Sequence, residues 1–204
     1  MKYSRKEIES NHALRVERDA VHRRHGYDPD RNHAFILSRA LPLRGRVLEI
    51  GTGKGRFLVA LLRHAARVTT IDVDPAEQRC ARLNVAYEKP PGRARFVIAD
   101  ARALPWKDAS FDAIVSVNAL HHMTRIPTVL REILRVVRPG GKIVLADFSE
   151  RGFAIMDRIH RSEGRRHLRR PFDFAEIVRR LEEQGWRPAR FRARAQEGLV
   201  ATRA

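Results

Sequence analysis

Apolar residues along this chain come in two alternating rhythms. Short apolar runs at 46–50, 68–71, 96–99, 111–117 and 142–146 have the length and β-branched content of buried strands. Between them lie segments with apolar residues on one helical side. Phe57, Leu58, Leu61 and Leu62 do this within 56–66, and Val129, Leu130, Ile133, Leu134 and Val137 within 126–137. A third helix has a complete start signal: Asp74 caps, Pro75 takes the first helical position and Glu77 the reciprocal capping position. It runs to about Tyr87, where Pro90-Pro91-Gly92 ends it. Pro139-Gly140-Gly141 predicts a tight turn into the fifth strand. Strands apolar on both faces, alternating with helices, predict an α/β fold. It is Rossmann-like: a doubly wound, mostly parallel sheet with helices on both faces.

The two ends break this rhythm. Residues 1–32 read as polar helix, with Ile8, Leu14, Val16 and Val21 scattered among charges and a turn at Tyr27-Asp28-Pro29-Asp30. A short helix over 32–41 carries Phe35, Ile36 and Leu37 until Pro42 stops it. Segment 151–170 is basic and mostly helical; Asp173 then caps a helix to Gln184, with Gly185 after it. Over 186–195, Phe191, Ala193 and Ala195 alternate with Arg190, Arg192 and Arg194, and 199–202 is apolar again. These are two strands around a short turn, so a seven-stranded sheet finishes with an antiparallel hairpin. The chain thus divides into an N-terminal helical lid or substrate segment, 1–41, and an α/β domain, 42–204, with a basic helical insert at 150–172.

Length and composition add bounds. With 204 residues, 43% of them hydrophobic, the chain suffices for one globular domain. Its single cysteine, Cys80, forms no internal disulfide and excludes an all-cysteine zinc cage, which points to a reducing compartment. No apolar run approaches the roughly 20 residues of a membrane span, and the polar N-terminus is unlike a secretory signal, so a cytoplasmic location is expected. The formal net charge of +17 suggests a polyanionic partner. Yet 35 of the 41 basic residues are arginines spread over the whole chain, as a biased coding sequence also produces. Net charge by itself argues only for non-specific association, so a nucleic-acid substrate is the less favoured alternative.

The chemistry concentrates after the first strand. Glu49-Ile50-Gly51-Thr52-Gly53-Lys54-Gly55 joins that strand to a helix, at the sheet edge where a nucleotide-like ligand approaches the backbone. Glycines suit such a loop because a Cβ would collide with the ligand and some positions need positive φ. Asp72 ends the next strand 21 residues after Gly51, the position from which a carboxylate accepts hydrogen bonds from ribose hydroxyls. A dinucleotide motif would need glycine where Arg56 stands, and the closing hairpin also departs from that family. Glu49, just before the loop, favours an ammonium over a phosphate. A ligand with a ribose, an adenine and a cationic amino-acid end fits.

These residues resemble the class I S-adenosylmethionine-dependent methyltransferases, in the small-molecule branch that includes methyltransferase type 11 and the ubiquinone/menaquinone enzymes. The resemblance spans roughly 46–148. Val47 to Gly55 is similar to the family's first motif, and Ile71-Asp72-Val73-Asp74 to its acidic second strand end. Ala99-Asp100-Ala101-Arg102-Ala103-Leu104-Pro105-Trp106 resembles the adenine loop, and Ser110-Phe111-Asp112-Ala113-Ile114-Val115 with Asn118-Ala119-Leu120-His121-His122 the fourth strand and its loop. Leu134 to Gly141 resembles the helix and turn before strand five.

The resemblance implies S-adenosylmethionine as cofactor and assigns roles residue by residue. The Gly51 and Gly53 backbone, with Thr52 and Gly55 in the same loop, holds the methionine moiety, and Glu49 faces its amino group. Asp72 takes the ribose hydroxyls and Val73 one adenine face. Asp100 accepts from the adenine amino group, the Ala101 N–H reaches a ring nitrogen, and Asn118 sits beneath the sulfonium. His121 and His122 follow strand four near the donated methyl, so either is a candidate general base. The acceptor is expected to be a small molecule, anionic or aromatic. Arg158, Arg161, Arg165, Arg166, Arg169 and Arg170, with His160 and His167, would suit a carboxylate or phosphate, although such a run is more often a solvated helix face. Tyr3, Tyr27 and Phe153 are candidate lid aromatics. An RNA methyltransferase and a non-catalytic S-adenosylmethionine-binding protein are the alternatives.

Overall fold

A computed structural model describes residues 3–166 and 168–203. In chain order the strands are β1 (Val47–Ile50), β2 (Arg67–Asp72), β3 (Arg93–Ile98), β4 (Phe111–Val117), β5 (Val137–Phe148), β6 (Arg187–Arg192) and β7 (Gln196–Thr202). The helices are α1 (Arg5–Arg24), α2 (Pro29–Ala40), α3 (Arg56–Leu61), α4 (Pro75–Glu88), α5 (Ile126–Val136), α6 (Glu150–Ser162) and α7 (Phe174–Glu183). One sheet has the order β3-β2-β1-β4-β5-β7-β6. Its first five strands are parallel, and β7 pairs antiparallel with both β5 and β6. The expected mostly parallel, seven-stranded sheet with a closing antiparallel hairpin is thus present; the strand order, with β7 between β5 and β6, comes from the pairing.

Two apolar layers sandwich the sheet. On one face Leu48, Ile50, Ile114, Ile143 and Leu145 pack against Val129, Leu130 and Ile133 of α5 and Ile177 and Leu181 of α7. On the other, Val47, Val68, Val115 and Val144 meet Phe57, Leu58 and Leu61 of α3 and Ile36, Leu37 and Ala40 of α2. Segment 1–41 thus contributes to the same core as the sheet.

Several boundaries differ from the sequence expectation. Asp28 caps α2 through the backbone N–H groups of Asp30 and Arg31, so that helix begins at Pro29 and not at 32. Helix α3 ends at Leu61 instead of 66. Strand β3 starts at Arg93, because pairing with β2 carries it through its arginines. Strand β5 begins at Val137, before Pro139-Gly140-Gly141 and not after it; those residues, with Gly140 at φ +71°, form an irregular excursion inside the strand, where the register with β4 jumps from Phe111–Val137 to Ala113–Lys142. Helix α6 stops at Ser162, and Gly164 follows at φ +67°, so the predicted helix to 170 is cut short.

Helix α1 is polar yet well anchored. Asn11 donates to Asn84 Oδ1 on α4 at 2.9 Å, and Asn84 Nδ2 donates to the Lys54 carbonyl of the glycine loop at 2.7 Å. The His12 ring stacks on Tyr87 with centroids 3.5 Å apart, and Arg15 pairs with Glu88 at 3.1 Å. The edge strands carry exposed arginines, Arg93 and Arg95 on β3 and Arg187, Arg190 and Arg192 on β6. Such charges discourage edge-to-edge pairing and absorb part of the arginine excess.

Candidate active site

The carboxyl ends of the parallel strands open into a cleft of about 830 Å³, roofed by the end of α1, α6 and the segment after α6. It is lined by Gly51, Thr52, Gly53, Asp72, Val73, Asp100, Ala101, Asn118, His121 and His122. The fold therefore gathers every sequence-predicted site residue in one place except Glu49 and Gly55, which lie behind the lining.

The three loop glycines do different work. A Cβ on Gly51, at φ +89°, would sit 2.4 Å from the Ala119 Cβ; one on Gly55, at φ +73°, would sit 2.7 Å from the Ala81 Cβ. These two are required by the protein's own packing of the loop against the β4 end and of α3 against α4, not by a ligand. Gly53, at φ +47°, has nothing within 4 Å of such a Cβ, so it is the glycine that keeps the cradle open. Asp72 closes the cradle from β2: its Oδ2 accepts from the Gly53 N–H at 2.7 Å and its Oδ1 from the Asp74 N–H at 3.0 Å.

Glu49 is buried on β1 opposite Thr70, whose hydroxyl donates to it at 2.5 Å; Thr70 in turn contacts the Thr52 hydroxyl at 2.6 Å. Gln78 of α4 ties this group to the β3 end by donating to the Val97 carbonyl at 2.8 Å. Burial first, then the nearby Asp72 charge, pushes the Glu49 carboxyl up to about 8 against the Thr70 hydrogen bond. Because the folded value lies above the ordinary 4.5, the associated stability is complete below pH 4.5 and is lost as pH rises from there through about 8. Glu49→Gln removes that titration and keeps the shape. Thermal melts are expected to show the variant gaining on the parent across this window; a constant offset between the two would contradict the buried neutral carboxyl.

Just after β2, Val73 is 65% exposed and offers an apolar wall to the cleft that Ala101, beyond β3, also lines. Asp100 is held below the usual carboxylate range by hydrogen bonds from the Arg102 side chain and backbone. That guanidinium also lines the cleft.

The far end centres on β4 and β5. Asn118, at φ +53°, donates its backbone N–H to the Ala146 carbonyl at 2.9 Å, which turns the chain off β4. Its Nδ2 donates to the Tyr27 hydroxyl at 3.3 Å, as Gln196 Nε2 does at 3.0 Å, while its buried Oδ1 has no hydrogen-bond partner among the described residues. Tyr27 is buried, which pushes its phenol pKa up. Of the candidate lid aromatics it is the one packed beneath α1. Phe153 lies edge-on to the His121 ring, and Tyr3 stands away from the cleft beneath Arg79.

His121 follows β4 in a 3-10 turn, Leu120–His122, and is 1% exposed. Its Nδ1 lies 2.7 Å from Asp147 Oδ1, and its backbone N–H donates to Asp147 Oδ2 at 3.1 Å. Asp147 is wholly buried near the end of β5 and also accepts from the Phe148 N–H at 2.7 Å. A carboxylate with three such bonds fixes the imidazole's orientation and tautomer. His122 stacks obliquely on His121, with centroids 3.9 Å apart. Asp147 and Tyr27 were not singled out together from sequence; the legible signal was an acid closing the otherwise apolar run Val144-Leu145-Ala146.

Comparison with known proteins fits this geometry. Residues 48–145 match the methyltransferase domain family. That match covers just under half of the chain. A demethylmenaquinone methyltransferase of Roseiflexus castenholzii is 39% identical over 119 residues, 58% of this chain and 49% of that protein. The 27-O-demethylrifamycin SV methyltransferase of Amycolatopsis mediterranei is 38% identical over 116 residues, covering 55% and 42%. The chain thus spans about half the length of the curated relatives it matches. In fold it superimposes on a methyltransferase from Aquifex aeolicus with a TM-score of 0.64 at 18% identity, over 100% of both chains. No helix among the described residues is long and apolar enough to cross a membrane.

Proposed function

We propose that this protein transfers a methyl group from S-adenosylmethionine to a small-molecule acceptor, with segment 1–41 acting as a lid. The observation that carries this is the cradle itself: an open Gly53, a carboxylate on Asp72 and an apolar wall at Val73 share one cleft with an oriented histidine. When bound, S-adenosylmethionine supplies an electrophilic methyl on a sulfonium. Methyl transfer of this kind needs alignment and exclusion of water more than bond activation. Gly53 and Asp72 would hold the adenosyl-amino-acid ligand, and Asn118 would border the reacting end. Helix α1, tied through Asn84 to the Lys54 carbonyl, roofs the cleft against solvent. His121, steered by Asp147, takes the proton of an acceptor hydroxyl as its oxygen becomes nucleophilic.

Incubation with methyl-tritiated S-adenosylmethionine tests this against the RNA alternative. Label is expected in small metabolites; label in RNA alone would replace the small-molecule acceptor with a nucleic acid. Asp72→Ala is expected to weaken S-adenosylhomocysteine binding by about 1–3 kcal/mol, the usual loss for a hydrogen bond to a charged group. Titration calorimetry reads that loss directly, and an unchanged affinity would remove Asp72 from the site.

A further inference from the structure

The two ends of the cleft carry opposite charge. Near the glycine loop its lining carboxylates are Asp72, Asp74, Glu77 and Asp100, of which Glu77 pairs with Lys54 at 3.8 Å and Asp100 with Arg102. The end formed by α1, α6 and the segment after α6 is lined instead by Arg18, Arg165 and Arg166. Among the described residues one acid serves these three: Glu163 meets Arg18 Nη1 at 3.3 Å and also pairs with Arg165. Arg166 is exposed and has no acidic partner among the described residues. Neither Arg56 nor His22 supplies counter-charge. Arg56 is consumed by Asp19 at 2.7 Å, and buried His22, its Nδ1 facing Arg56 at 3.1 Å, is held neutral. His167 lies outside the described residues, and Arg158 and Arg161 do not line the cleft.

We propose that Arg18, Arg165 and Arg166 form the binding site for an oxyanion, a carboxylate or phosphate, carried by the methyl acceptor. This rests on the methyltransferase function proposed above and names its substrate class. Guanidinium groups meet such oxyanions through paired charge-assisted hydrogen bonds. At the other end Asp72 and Asp74, which have no cationic partner among the described residues, repel the same group, so the polarity of the cleft admits the acceptor in one orientation. Its anion rests on the arginines and its neutral nucleophile is left toward Asn118 and His121.

The test is titration of the whole protein, saturated with S-adenosylhomocysteine, with inorganic phosphate, with acetate and with chloride at matched ionic strength. Arginine side-chain N–H resonances report the contact. Phosphate, acetate or both are expected to shift Arg18, Arg165 and Arg166 beyond chloride, and the effective anion identifies the group. Arg166→Ala is expected to weaken that binding by about ten-fold, as loss of a paired ionic contact does, with S-adenosylhomocysteine affinity unchanged. Shifts no larger than those from chloride, or equally strong at Arg93, Arg95, Arg190 and Arg192, would overturn the proposal. Failure of S-adenosylhomocysteine to bind would instead refute the underlying methyltransferase function, whatever the anions do.

Discussion

His121→Asn is expected to lower kcat for methyl transfer to a hydroxyl acceptor by about 10²–10⁴-fold, the range for losing a positioned general base. The affinity for S-adenosylhomocysteine is expected to stay within about two-fold, because no atom of His121 belongs to the cradle. The effect is large because the imidazole is held from two sides: Asp147 bonds both its ring Nδ1 and its backbone N–H, and Phe153 packs edge-on to the ring. Asp147→Asn preserves the volume of the wholly buried side chain but presents an N–H2 where only acceptors are used. It is expected to lower kcat through the misdirected imidazole, with a shifted pH–rate profile that a purely structural role would not give. Stopped-flow and steady-state kinetics over pH separate the cases. Equal rates for parent and His121→Asn would remove the base and leave alignment alone as the source of rate.

Gly51→Ala is expected to cost about 2–5 kcal/mol of stability, combining positive-φ strain with overpacking. At φ +89° the added Cβ would lie 2.4 Å from the Ala119 Cβ, and both neighbours are pinned. The Gly51 and Thr52 N–H groups share the Ile71 carbonyl at 2.9 Å, and the adjacent Asn118 N–H is fixed to Ala146. Such a loss is a large share of the total stability of a domain of this size. Gly53→Ala provides the contrast, since its Cβ meets no protein atom within 4 Å. It is expected to melt much closer to the parent while losing S-adenosylhomocysteine binding. Chemical denaturation of the two variants checks the assignment; equal destabilisation would deny the separation between packing and ligand glycines.

The fold was legible where one signal decided it. Apolar runs marked the strands and Asp74-Pro75 the start of α4, because these cues act within a few residues; Glu77 does not return the cap, since the Asp74 N–H goes to Asp72 Oδ1 and Glu77 faces Lys54. Pro139-Gly140-Gly141 marked a local change of direction but not the start of β5, because Val137 already pairs with Phe111 of β4, remote in sequence. The end of α6 was obscured by an arginine run compatible with helix, and Gly164 at positive φ decided against it.

Within the site, Gly51, Gly53 and Asp72 stood out from spacing and motif, whereas His121 and His122 were legible only as a pair, and the bond with Asp147 distinguishes His121. Glu49 was legible as a site residue but not as a carboxyl buried behind Thr52 and Thr70. Asp147 was hidden as the last polar letter of an apolar strand. Asn84 and Gln78 read as ordinary helix polar residues because their partners, the Lys54 and Val97 carbonyls, come from other elements.

The most direct measurement is a crystal structure of the protein grown with S-adenosylhomocysteine. It is expected to show the nucleoside in the cleft, its ribose hydroxyls on Asp72 and its base against Val73. A ligand bound elsewhere, or a cleft that excludes it while Asp72 stays on the Gly53 N–H, would contradict the account.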